Sequence, residues 1–104
     1  MKLYIAGPMT GIPEYNFPAF NKAATVLRDK GFDVVNPAEL DEQDVKDGKA
    51  TQPWSYYLRR DLKALLECDG IFALKGHDQS RGATLEISVA KALEMPVFLE
   101  SPDV

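Results

Sequence analysis

The stretch Lys2-Leu3-Tyr4-Ile5-Ala6-Gly7-Pro8-Met9-Thr10-Gly11 decides the fold. The short run Lys2 to Ala6, apolar with aromatic and β-branched members, is stopped by Gly7-Pro8 and reads as a buried strand. The loop from Gly7 to Pro13 holds too much Gly and Pro for a regular helix. Asn16 stands where a helix N-cap belongs, with Pro18 in the first turn. Phe17, Phe20, Ala24 and Leu27 then recur at spacings of three and four, the stripe of an amphipathic helix, and Gly31 ends it. Phe32 to Val35 reads as the second strand. Pro37 to Gln52 is polar, acidic in its middle (Asp41, Glu42, Asp44, Asp47) and without clear periodicity. It reads as a long loop, either a lid or a solvated excursion. Pro53 opens a helix running to about Cys68, with Leu58, Leu62, Leu65 and Leu66 as its apolar face. Gly70 to Leu74 is the third strand, Lys75 to Arg81 a polar turn, and Gly82 to Glu94 a helix with Ala83, Ile87 and Ala90 inward. Pro96 stops that helix, and Val97 to Leu99 is a last strand.

Strands alternating with helices imply an α/β fold whose small parallel sheet is wound by right-handed crossovers. The expected order is 2-1-3-4. Ligands of such sheets sit beyond the carboxyl ends of the strands, near the point where the order reverses. Gly7 to Gly11, Asn36 and Lys75 to Arg81 should therefore share one rim.

The 104 residues suffice for one domain, 1–104, without internal repeat or linker. Twelve Lys and Arg against sixteen Asp and Glu give a net charge of −4, which argues against a nucleic-acid polymer as partner. The one cysteine, Cys68, forms no internal disulfide and reads as a structural thiol. The apolar opening is too short for a signal peptide or a membrane span, so a cytoplasmic protein with no membrane partner is expected.

Two carboxylates stand on the wrong faces. Asp61 lies three residues after Leu58 and four before Leu65; Glu86 lies three after Ala83 and four before Ala90. Both therefore project at the edge of an apolar face, and carboxylates are rarely buried without partners. By contrast, Arg59, Arg60 and Lys63 point largely away from the stripe, toward solvent or a subunit contact. Near the start of its helix, Glu86 should be favoured in its ionised form by the helix dipole. Two readings fit it, a nucleophile at an anomeric carbon or a boundary residue in an ordinary salt bridge. Ser80 can cap the helix, or its loop can hold a phosphate or sugar hydroxyl. There is no G-x-G-x-x-G fingerprint and no P-loop. His77, the only histidine, has no Cys or His beside it and reads as a loop residue, so no metal ligand set is expected. Trp54, Tyr56 and Tyr57 suit either stacking on a base or packing.

Tyr4-Ile5-Ala6-Gly7-Pro8-Met9, Arg60-Asp61-Leu62, Cys68-Asp69-Gly70, and Ser80-Arg81-Gly82 followed by Glu86 together resemble the nucleoside 2-deoxyribosyltransferase family. That likeness extends to deoxynucleoside monophosphate N-glycosidases and small phage and prophage relatives, and covers Lys2 to about Leu99. It implies a flavodoxin-like, Rossmann-like three-layer fold and a homodimer or larger oligomer with shared sites. It also implies a small-molecule nucleoside or nucleotide partner, no cofactor, and a double displacement. On this resemblance Glu86 attacks C1′ and Asp61 orients Glu86 or contacts the sugar. Tyr4 contacts the sugar or Glu86, and Gly7, Pro8, Met9, Ser80 and Gly82 bind substrate.

The sequence departs from the pattern at two positions. Pro8 stands where the phosphohydrolase branch has a serine, and it offers neither N–H nor hydroxyl to a phosphate. Thr84 stands where that branch has Gly, which would narrow the pocket. The resemblance further implies that a residue near the C-terminus, here Asp103 or the terminal carboxylate, contacts the base or completes a partner's site. Two other functions use the same scaffold: a non-catalytic nucleotide or signalling-molecule module, and a glycohydrolase of NAD-like dinucleotides.

Overall fold

Alternation along one strand builds the layers. In the computed structural model, which describes residues 1–49 and 51–100, β1 (Lys2–Ala6) sends Leu3 and Ile5 to one face of the sheet and Tyr4 and Ala6 to the other. Leu3 and Ile5 pack with Phe20, Ala23, Ala24 and Leu27 of α1 (Phe17–Asp29) and with Ala38 of α2 (Pro37–Lys46). Tyr4 and Ala6 pack with Leu65 of α3 (Trp54–Leu66) and with Ala83, Ile87 and Ala90 of α4 (Arg81–Ala92). The remaining strands are β2 (Asp33–Val35), β3 (Gly70–Ala73) and β4 (Val97–Leu99). All pairings are parallel and the order is β2-β1-β3-β4, as the alternation predicts; Tyr4 lies between Val35 and Ile71. The α/β three-layer expectation thus holds. No helix among the described residues is long and apolar enough to cross a membrane.

The structure corrects the sequence reading in several places. Pro37 to Lys46 is helix α2, not loop. Asn36 caps it by accepting a hydrogen bond from the Ala38 N–H at 3.0 Å, and Pro37 occupies the first turn. The helix escaped detection because its buried side holds only Pro37, Ala38 and an ionic residue, Asp44, so no apolar stripe marks it. Leu66 is 60% exposed and does not belong to the α3 core face. Asn16 stands at the N-cap position of α1, as expected, but makes no capping hydrogen bond: its backbone is left-handed and its Nδ2 donates instead to the Pro8 carbonyl at 2.9 Å. Glu14 and Tyr15, in the short 3-10 turn Pro13–Asn16, are left-handed as well. Such a conformation costs each side chain about 1–2 kcal/mol. Asp103 and the terminal carboxylate lie outside the described residues.

Gly7 is required where β1 leaves the sheet. A Cβ there would stand 2.9 Å from Cβ and Cδ1 of Leu74, so the chain passes the end of β3 only without a side chain.

Candidate active site

The carboxyl end of β1, beside the reversal of strand order, opens into a cavity of about 1090 Å³. This is slightly above the roughly 300–1,000 Å³ usual for small-molecule sites. Tyr4, Gly7, Pro8, Met9, Asp61, Ser80, Gly82 and Glu86 all line it. Of the expected rim, Gly11, Asn36 and residues 75 to 78 are not on the wall. Asn36 is buried as the α2 cap and donates through Nδ2 to Asn21. Thr84 sits outside the wall, its hydroxyl reaching the His77 carbonyl at 3.4 Å, so it does not narrow the cavity.

Three elements deliver the polar core of the site. Tyr4, on the middle of the central strand, has no exposed surface, and its hydroxyl donates to Glu86 Oε2 at 2.5 Å. Glu86 follows Ala83 on the inward face of α4 and is 6% exposed. Asp61, on α3, completes the group. Burial pushes the Glu86 carboxyl up to about 8; the Tyr4 hydrogen bond opposes the shift, the Asp61 charge adds to it, and Arg60 opposes it. Burial thus holds Glu86 toward its neutral form. This reverses the expectation of an ionised side chain. Burial also raises Asp61, to about 6, against the Arg60 guanidinium beside it. The Tyr4 hydroxyl is held well above its usual range by burial and by the neighbouring Glu86 and Asp61, so it remains a donor.

Arg60 is the residue the sequence reading misplaced. It turns inward, with Nη2 at 2.6 Å from Asp41 Oδ1, Nη1 at 2.9 Å from Asp44 Oδ2, and Nε and Nη2 at 3.0 and 2.8 Å from Asp61 Oδ1. Its acidic partners on α2 belong to the segment expected to be loop, which is why its direction was not legible. A signal was available: Asn36-Pro37-Ala38-Glu39 has the spacing of a capped helix start, and Asp41 and Asp44 then fall one turn apart.

Aromatic rings form much of the remaining wall: Tyr15, Phe17, Phe20, Trp54 and Tyr57, though not Tyr56. Arg81, at the start of α4, lies over the Trp54 ring with Cζ 4.3 Å from its centroid, linking the first turns of α3 and α4. Ser80 caps α4 through Oγ, which accepts from the Ala83 N–H at 3.2 Å. His77 is off the wall, its Nδ1 2.8 Å from the Leu74 carbonyl. Cys68 is buried with Sγ on the Ala64 carbonyl. Among the described residues, no three His, Cys, Asp or Glu side chains are grouped to hold a metal ion.

The fold is shared with solved enzymes. The chain superposes on the 2-deoxyribosyltransferase of the psychrotolerant bacterium Bacillus psychrosaccharolyticus, described as a biocatalyst for the synthesis of antiviral and antitumoral nucleosides. The TM-score is 0.71 at 26% identity, over 99% of this chain and 77% of that one. It also superposes on the 2-deoxyribosyltransferase of Leishmania mexicana, with a TM-score of 0.70 at 19% identity, over 98% of this chain and 65% of that one; this likeness is one of fold. No curated protein matches the sequence. Residues 1–99 match the family described as Domain of unknown function (DUF4406), and the chain belongs to that family, on the fold of the 2-deoxyribosyltransferases.

Proposed function

We propose that the protein cleaves or transfers at the N-glycosidic bond of a (deoxy)nucleoside or its monophosphate, through a glycosyl intermediate on Glu86. One observation carries the reading: the hydroxyl of Tyr4 and the carboxyl of Glu86 meet at 2.5 Å inside a cavity that Asp61 also lines. The likeness to a 2-deoxyribosyltransferase supports the reaction class.

Glu86 gives up its proton, to Asp61 or to the medium. The carboxylate closes a C1′–O bond as the C1′–N bond breaks, and the bonding pair leaves on the base, which takes up a proton. A carboxylate on one face of the ring suits the cationic character of that transition state. A second base, or water, then loses a proton to the medium or to Asp61 as it attacks C1′, the C1′–O bond breaks, and Glu86 returns as carboxylate. Tyr4, kept protonated, holds Oε2 and so directs the other oxygen toward the sugar. Gly7, Pro8, Met9, Ser80 and Gly82 line the part of the cavity assigned to substrate.

One observation favours a second reading. Burial holds Glu86 toward its neutral form, which has a proton to offer a ligand among aromatic walls and suits a module that holds a nucleotide or signalling molecule without turning it over. Mass spectrometry separates the two. The protein and its Glu86→Ala variant are incubated with nucleosides, deoxynucleosides, their monophosphates and NAD, each with and without a second free base. Base release or exchange by the wild type alone is the expected result and identifies substrate and acceptor together. A retained ligand with no turnover in either protein gives the second reading.

A further inference from the structure

Arg60 is surrounded by more acid than one guanidinium balances. Asp41 and Asp44 reach it from α2, one turn apart and so on one side of that helix, and Asp61 reaches it from its own helix. All four side chains are between 13% and 24% exposed. The Tyr57 ring lies beneath the guanidinium, 5.3 Å from Cζ to centroid. Every nitrogen of the fork is in use, and the two that meet Asp61 share a single oxygen, Oδ1. A lysine ammonium, a point charge on a flexible stem, cannot reproduce this planar arrangement.

We propose that Arg60 is a positioning residue: its fork fixes the orientation of Asp61 beside Glu86 and, by the same set of bonds, fastens the cavity wall α2 to α3. The catalytic part of this rests on the reading of Glu86 and Asp61 as the reacting acids. The groups facing Asp61 are Arg60 on α3, Asp41 from α2, Tyr4 from β1 and Glu86 from α4. Arg60 is the cation among them. Burial works against its charge, but Asp61 and Asp41 outweigh burial and raise its pKa. Arg60 in turn opposes the burial that drives Asp61 toward its neutral form. Its loss would leave Asp61 turned by its other neighbours and protonated over a wider pH range.

The test is Arg60→Lys, which keeps the charge and removes the fork. The expected result is a fall in kcat of about 10- to 100-fold with KM changed less than about threefold, because misorientation costs turnover more than binding. Carbon-13 NMR of the Asp61 carboxyl should show its midpoint raised by about one pH unit. Should that variant fail to fold, Asp41→Asn tests the same network in the opposite direction. It removes a neighbouring negative charge and frees the fork for Asp61, so the midpoint should fall. Wild-type kcat together with an unmoved Asp61 midpoint in Arg60→Lys, or an unmoved midpoint in Asp41→Asn, overturns the proposal. If the wild type turns over no nucleoside, the reaction reading fails by itself, and the Asp61 midpoint alone decides the place of Arg60.

Discussion

The two faces of the sheet are built from the same strand and do different work. On one, Leu3 and Ile5 meet an apolar layer, and the link from α1 to α2 is a bidentate pair at the surface, Arg28 to Glu39 at 2.8 and 2.7 Å, with side chains 43% and 46% exposed. On the other, Tyr4 meets Glu86, and the link from α3 to α2 is the shielded Arg60 cluster. α2 is thus held by an arginine from each side. Water decides how much each can do. The exposed pair is screened and contributes little, whereas the shielded one acts on charges that have few other partners.

The contrast predicts a ranking of effects. Glu86→Gln should abolish turnover, by on the order of 10³-fold or more, while the fold survives; retained turnover with the assay panel would remove Glu86 from its assigned role. On the opposite face, Leu27→Ala should destabilise by about 2–5 kcal/mol in denaturant titration, because it opens a cavity in a packed layer away from the site. Its residual folded enzyme should keep the wild-type pH profile.

The same Glu86→Gln substitution should also change stability with pH, and the direction follows from the raised value. The folded carboxyl holds its proton to about 8 and the unfolded one only to about 4.3. The folded state therefore loses stability as pH rises through that window, by an amount on the order of a few kcal/mol, and no more is lost above it. Glutamine cannot ionise, so the variant should gain on the wild type between those limits. Parallel melting curves at pH 5 and pH 8.5 would contradict the shielding of Glu86. Activity should rise with pH through about 8 if the ionised form attacks. Tyr4→Phe, which removes a bond that favours the charged form, should move that rise to higher pH and lower kcat by roughly 10-fold. The smallest effect is expected from Arg28→Ala, below about 1 kcal/mol and shrinking in high salt. A loss comparable to that of Leu27→Ala would show that the surface link carries more than its exposure allows.

Much of this was legible in the sequence. Strand order followed from the alternation of elements, and the position of Asp61 and Glu86 within their helices followed from spacings of three and four around Leu58, Leu65, Ala83 and Ala90. What failed has one physical origin. Periodicity reports burial only when the buried residues are apolar, and the hidden side of α2 contains Asp44. With α2 unseen, the inward turn of Arg60 had no cause. The ionisation of Glu86 was misjudged because helix position was weighed without the depth of the site. The left-handed turn at Glu14, Tyr15 and Asn16 is barely marked in the sequence, since only Asn16 is of a type that favours that conformation.

The hydrogen bond between Tyr4 and Glu86 spans 82 positions of the chain, and β1 pairs only with strands that follow it. During synthesis the first strand emerges without either neighbour, and its second one, β3, ends at Ala73. The acid group of the site comes into being only after Glu86 has left the ribosome, so it is among the last features to form. Chains arrested before that point should remain open to proteolysis at β1, while the released chain should not.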